Sequence, residues 1–331
     1  MRAGAILLMA LALSACTPIV SQAPLAPPAG FAGPKFDGDR MISFDSARLG
    51  LTRWAPAQEP WAVIVALHGM NDYANAFHLA APYWAEQGIA TYAIDQRGFG
   101  RSPQRGIWAG RDLMAEDLRT AASLARAAYP KAVLVVMGES MGGAVAAYAA
   151  ASDRPPEADR IVLLSPAVWG FETQPPPNGL LLWLAARFTG PKVYAPPEWV
   201  TDRISPTDNR DELIAMSQDQ LMIWGARSDT LYGLVRLMGK GSEAMGRTRA
   251  PVLYLYGAHD EIIPKHAARR AMRGLRPGDR TAYYPDGWHL LTRDHQGPRV
   301  WADVAAYIRN PTSPLPSGVG EAPFRAPVTS H

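Results

Sequence analysis

Cysteine is almost absent: of 331 residues only Cys16 carries a thiol, which excludes an intrachain disulfide framework and a cysteine-built zinc site. No His-Glu-x-x-His run supplies another metal constellation, so neither metal nor organic cofactor is expected and chemistry falls to protein side chains. A dominant charge is lacking as well. Lys and Arg number 33 against 30 Asp and Glu, a formal +3 that would become +2 if Arg2 left with a cleaved leader. That balance gives no footprint for nucleic acid. A membrane-length apolar run is missing too, since the eleven residues Ala3 to Leu13, at about 1.5 Å each, cannot cross a hydrocarbon core about 30 Å thick. No internal repeat is found. What the chain has is bulk: 48% hydrophobic and 19% charged residues bury core for one large domain or two ordinary ones, which excludes a disordered chain.

The amino terminus reads as an address. Arg2, the apolar run to Leu13 and then Ser14, Ala15 and Cys16 have the order of a secretion signal with a small-residue cleavage site, giving a leader over 1–15. Leu13-Ser14-Ala15-Cys16 resembles the lipobox of bacterial lipoproteins. The resemblance implies cleavage before Cys16 and lipidation of its thiol, hence anchoring to a membrane; Thr17, where Asp would retain the protein, implies the outer membrane, facing the periplasm. Acyl chains contribute about 0.8 kcal/mol per buried methylene, enough for several chains to hold a protein at a surface. The alternative is an ordinary signal peptide with an incidental cysteine. Residues 16–35, with Pro18, Pro24, Pro27, Pro28 and Pro34, read as a stiff tether.

Nearly continuous apolar runs predict strands at Ala62 to Leu67, Ile89 to Ile94, Ala132 to Met137, Ile161 to Ser165, Val252 to Tyr256 and Thr281 to Tyr284. Helical stretches fall between or after them at Ala74 to Gln87, Asp112 to Ala128, Met141 to Ala151, Pro264 to Arg273 and Pro298 to Arg309. The alternation predicts an α/β fold, a mostly parallel sheet flanked by helices. Met41 to Phe44 and Leu49 to Trp54 read as an antiparallel edge hairpin. The core then spans 36–168 and 250–309, interrupted over 169–249 by a helical cap. Within the cap, Leu180-Leu181-Leu182-Trp183-Leu184 is apolar on every face, which fits core packing first and an oily wall for a ligand or bilayer second. The proline-rich tail 310–331 reads as disordered.

Chemistry concentrates at Gly138-Glu139-Ser140-Met141-Gly142, directly after one predicted strand and before a helix rich in Gly and Ala. A G-x-S-x-G serine must sit on a sharp, strained turn, and glycines on either side prevent a clash there. A serine hydroxyl is a weak nucleophile that needs a histidine base oriented by a carboxylate. Two polar clusters follow later strands: Gly257-Ala258-His259-Asp260-Glu261 and Pro285-Asp286-Gly287-Trp288-His289. Loops beyond the carboxyl ends of parallel strands converge, so Asp260 and His289 can meet Ser140.

On these motifs the chain, over roughly residues 40 to 309, resembles the α/β-hydrolase superfamily, and within it the monoacylglycerol lipase and lysophospholipase-like, serine aminopeptidase-type branch. The resemblance implies an acid in a Gly-x-x-Asp turn, Gly257 to Asp260, and a base at His289. Asp286 and Glu261 are rival acids by proximity, while Asp202, Asp208 and Asp229 fall in the cap; His259, His266 and His295 read as surface or helix residues. Two oxyanion donors are expected, the backbone N–H of Met141 after the nucleophile and, by resemblance, that of Met70 in His68-Gly69-Met70-Asn71. His68 itself fits a structural hydrogen bond better than catalysis, and Asp95-Gln96-Arg97-Gly98-Phe99-Gly100-Arg101-Ser102 fits a fastened turn.

The expectation is a lipid-anchored serine hydrolase that cleaves carboxylic esters through an acyl-enzyme, with monoacylglycerols or lysophospholipids as the favoured class. The same triad serves other esterases, thioesterases and aminopeptidases, because fold and catalytic set do not fix a substrate. Haloalkane dehalogenases and epoxide hydrolases carry Asp at the elbow, which Ser140 argues against. A catalytically silent lipid-binding lipoprotein is the alternative of another class.

Overall fold

The computed structural model describes residues 19–197, 199 and 203–323. The proposed leader, Cys16 and Asp202 lie outside them, as does the tail from residue 324. A nine-stranded sheet organises the fold, in the order β1-β2-β3-β5-β4-β6-β7-β10-β11. Its strands are β1 (Lys35–Asp37), β2 (Arg40–Ile42), β3 (Arg48–Trp54), β4 (Ala62–Leu67), β5 (Ile89–Ile94), β6 (Val133–Glu139), β7 (Arg160–Leu164), β10 (Val252–Gly257) and β11 (Arg280–Tyr284). From β5 across to β11 every pairing is parallel, while β1, β2 and β3 join antiparallel at one edge. All residues of β4 and β5 are buried, which is why their sequences run apolar without alternation.

Helices cover both faces. On one face lie α2 (Arg111–Ala128), α3 (Met141–Ala150) and α7 (Lys265–Met272); on the other lie α1 (Ala80–Glu86) and α8 (Gly297–Arg309). Between β7 and β10 the chain leaves the sheet to form α4 (Pro176–Phe188), α5 (Arg210–Gln218), α6 (Ser228–Ala244) and a small ribbon of β8 (Val193–Tyr194) with β9 (Ala226–Arg227). Helix α6 lies on α3 at close range: a Cβ on Gly241 would stand 3.0 Å from that of Ala144.

Three sequence expectations are corrected here. The segment read as a stiff tether is bonded to the core from Gln22 onward, whose main chain donates to Trp108 O at 2.8 Å and whose amide donates to Ile107 O at 2.8 Å. Its last residue already belongs to β1. The tail 310–331, read as disordered, is ordered through residue 323: Arg280 Nη1 donates to the carbonyls of Pro311 and Ser313, and Leu315 and Ala322 are buried. Prolines there shape a strap whose partners lie far away in sequence. Finally, α4 is not core, for it buries only Ala186 and leaves Leu180 and Leu181 about 60% exposed, with Trp183 and Phe188 beside them.

Candidate active site

Strand β6 delivers Ser140 at the sheet's carboxyl edge, and the turn into α3 holds it at φ 50° and ψ −115°, a left-handed backbone that a side chain adopts only under constraint. Three main-chain bonds supply that constraint: Ser140 N–H donates to Leu164 O at 2.9 Å, while Ser140 O accepts from Ala167 at 2.8 Å and from Ala144 at 3.1 Å. The flanking glycines are a steric need. A Cβ on Gly138 would come within 2.3 Å of the Gly142 main chain, and one on Gly142 within 2.2 Å of Leu67 O.

Asp260 and His289 meet. His289 Nδ1 donates to Asp260 Oδ2 at 2.9 Å, and the second carboxylate oxygen accepts the N–H groups of Ile262 and Ile263 at 2.9 Å each. A carboxylate only accepts, so Nδ1 carries a hydrogen, and in the neutral ring Nε2 keeps its lone pair. Both side chains are buried. Burial alone would depress the imidazole's pKa, but the charge and hydrogen bond of Asp260, with the charge of Glu139 added, outweigh it and hold His289 above its ordinary 6.5. Ser140 is buried as well, and its Oγ makes no hydrogen bond among the described residues.

The loop after β4 is fixed through His68. His68 Nε2 accepts the Gln96 N–H at 2.9 Å and Nδ1 donates to Gly69 O at 2.7 Å, which makes the ring neutral and structural. Burial pushes its pKa down. His68 O receives Gly142 N–H at 3.1 Å, joining this loop to the serine turn. Neither Met70 N–H nor Met141 N–H donates to another group among the described residues, so both remain available to an oxyanion.

The rival residues go elsewhere. Asp286 and Glu261 are exposed, Asp208 accepts from His295 N–H at 2.9 Å, and Asp229 pairs with Arg227 within the cap. His259 stacks on Trp288, His266 bonds Thr173 O, and His295 is exposed. In the Asp95 to Ser102 turn, Arg97 is buried between Asp45 and Asp117, and Arg101 holds Asp95, so these charges serve the fold.

One cluster escaped the sequence reading: Arg293, wholly buried, bonds both Asp72 and Glu139 immediately beneath the serine turn. A lone Arg four positions after a histidine looks like surface, and only the fold reveals its partners. Among the described residues no group of three or more His, Cys, Asp or Glu side chains is arranged to hold a metal ion, and no helix is long and apolar enough to cross a membrane.

Comparison with known proteins agrees with this architecture. A monoacylglycerol lipase of Mycolicibacterium smegmatis is 28% identical over 77% of this chain and 90% of its own length, and a monoglyceride lipase of Mus musculus is 25% identical over 79% and 86%. Among solved structures, a soluble variant of the monoglyceride lipase of Saccharomyces cerevisiae with a substrate analog superposes with a TM-score of 0.69 at 17% identity, over 88% of this chain and all of that one. The Paleococcus ferrophilus monoacylglycerol lipase gives 0.65 at 20% identity, over 78% and 98%. The model of the family described as serine aminopeptidase, S33 matches residues 58–296, which span the serine turn, the Asp260–His289 pair and the cap between them, and the chain belongs to that family of α/β-hydrolases.

Proposed function

We propose that this chain hydrolyses the ester bond of monoacylglycerols and related single-chain acyl esters, with Ser140 as nucleophile, His289 as base and acid, Asp260 as orienting carboxylate and the N–H groups of Met70 and Met141 as oxyanion donors. The observation that carries the reading is the 2.9 Å Asp260–His289 pair at the same sheet edge as a serine held in a left-handed turn. His289 Nε2 takes the Ser140 proton as Oγ bonds to the acyl carbon, and the carbonyl oxygen becomes an anion. Collapse of that adduct expels glycerol, which receives the proton from His289, and leaves an acyl-serine. Water, deprotonated by the same nitrogen, then releases the fatty acid.

Two features favour a lipid over a soluble ester. The relatives named above are monoacylglycerol and monoglyceride lipases. The cap also turns Leu180, Leu181, Trp183 and Phe188 outward, a run of apolar side chains suited to a bilayer surface. A lipidated Cys16 at the outer membrane, facing the periplasm, would hold the enzyme beside such a surface; mass spectrometry of the mature amino terminus tests the anchor, and an unmodified Cys16 contradicts it. The substrate is tested with a chain-length series of monoacylglycerols, lysophospholipids and aminoacyl anilides on wild type and Ser140→Ala. Turnover of the glycerol esters, lost in the variant, supports the reading; faster anilide cleavage would move the chain to peptide chemistry.

A further inference from the structure

The roles given to Ser140, His289 and Met70 leave the buried Arg293 cluster without one. A single nitrogen, Arg293 Nη2, donates to Asp72 Oδ2 at 2.7 Å and to Glu139 Oε1 at 2.8 Å, across 221 and 154 residues of sequence. All three side chains are nearly free of solvent. Asp72 and Arg293 come from two different loops and Glu139 from the end of β6, and each of these segments adjoins one part of the proposed machinery.

Asp72 closes the loop that bears Met70. Its N–H donates to Gly69 O at 3.4 Å, and its Oδ1 accepts Tyr73 N–H at 2.7 Å, so the turn is knotted around the carboxylate. Glu139 is the last residue of β6 and directly precedes Ser140. Arg293 follows His289 by four positions, with its N–H on Leu290 O at 2.7 Å, so the turn after the base is closed by the same residue. Stability alone is a poor explanation. Desolvating buried ions offsets most of their attraction, and an apolar substitute of equal volume commonly does as well. Placement of reacting groups is another matter, since a misplacement of about 1 Å can slow a reaction about 100-fold.

We propose that Arg293 is a positioning residue that acts through Glu139 and Asp72, one guanidinium nitrogen fixing the serine turn, the oxyanion loop and the histidine loop in mutual register. This rests on the reading of Ser140 and His289 as nucleophile and base. The cluster also sets the charge around the base. His289 faces Asp260 from the loop after β10, Glu139 from the serine turn and Arg293 from its own loop. Arg293 in turn faces Asp72, Glu139 and, on α5, Glu212, while His68 faces Asp72 and Arg293. Burial raises the Glu139 carboxyl's pKa, and Arg293 opposes that rise. An ionised Glu139 favours the imidazolium, so removing its charge lowers the pKa of His289 and keeps the base form to lower pH.

The test uses the full chain and a soluble p-nitrophenyl ester, with kcat, KM, Tm and the pH profile of kcat/KM measured together. Arg293→Met would bury two carboxylates without a cation and can fail to fold, so two variants at Glu139 carry the test. Glu139→Leu removes one tie while leaving Arg293 balanced by Asp72; kcat should fall about 10- to 100-fold with KM moving far less. Glu139→Gln still accepts from Arg293 and should recover most of that loss. Both variants should move the acid limb of kcat/KM to lower pH. Glu139→Leu with wild-type kcat and an unmoved acid limb overturns the proposal, even if Tm drops. Ser140→Ala separates the two claims: activity surviving there removes the proposed function, whereas an inactive Ser140→Ala beside an unaltered Glu139→Leu removes only the positioning role.

Discussion

Gly142→Ala is the sharpest steric probe of the serine turn. The added Cβ would stand 2.2 Å from Leu67 O, 2.6 Å from Leu67 C and 2.7 Å from His68 O. Those atoms are backbone of β4 and of the loop carrying Met70, so no side chain can swing aside. Ordinary contact between such atoms begins near 3.5 Å, and the two segments must therefore part by roughly 1 Å. That displacement stretches the 3.1 Å bond from Gly142 N–H to His68 O and, on the proposed assignment, moves the Met141 N–H relative to that of Met70. Overpacking of this kind costs about 1 to 3 kcal/mol, a Tm loss of a few degrees in a chain this long. Losing one oxyanion donor costs about 100- to 1,000-fold in kcat. Gly320→Ala, whose Cβ would meet nothing within 4 Å, serves as the control. Thermal unfolding and ester turnover, measured on both, decide the matter. A Gly142→Ala protein that melts and turns over like Gly320→Ala would refute the close approach of the serine turn to β4 and the oxyanion geometry built on it.

Other perturbations separate the remaining parts. The acid limb of kcat/KM should lie above 6.5, because His289 must be neutral to accept a proton and its surroundings favour the charged ring; activity is lost as pH falls through that raised value, and a limb below 6.5 contradicts the environment described. Asp260→Asn should cost about 10,000-fold in kcat with the fold intact by circular dichroism, as the imidazole loses the acceptor that sets its tautomer; a loss under tenfold would point to another acid. Arg97→Met leaves Asp45 and Asp117 buried without their cation and should lower stability about 3 to 5 kcal/mol in denaturant titration, far more than a surface Arg would. Replacing Leu181 and Trp183 together by Ser should reduce turnover of vesicle-borne monoacylglycerol more than turnover of a short soluble ester; equal loss on both would argue against a docking role for α4.

The central sheet is the most legible part of the chain. β4 and β5 coincide with their apolar runs residue for residue, because strands buried on both faces must be apolar throughout. The serine turn is legible for a local reason: its glycines, strained residue and following helix all lie within a few positions. The order beyond the sheet is much less so. Proline-rich ends look like a stiff tether and a disordered tail in composition, yet Gln22 donates to the Ile107 carbonyl 85 residues on, and the Pro311 carbonyl of the tail accepts from Arg280, 31 residues before it. The apolar α4 reads as core, since sequence gives hydrophobicity but not which side faces the protein. Arg293 is invisible for a related reason, its two acids being set by tertiary structure alone.

The most direct measurement is rapid quenching of the enzyme during turnover of a monoacylglycerol, followed by peptide mass spectrometry. One fatty acyl group on the peptide containing Ser140, absent from Ser140→Ala, is the result expected of a covalent route. Steady hydrolysis with no acyl group on Ser140, or with the group on another residue, would contradict it.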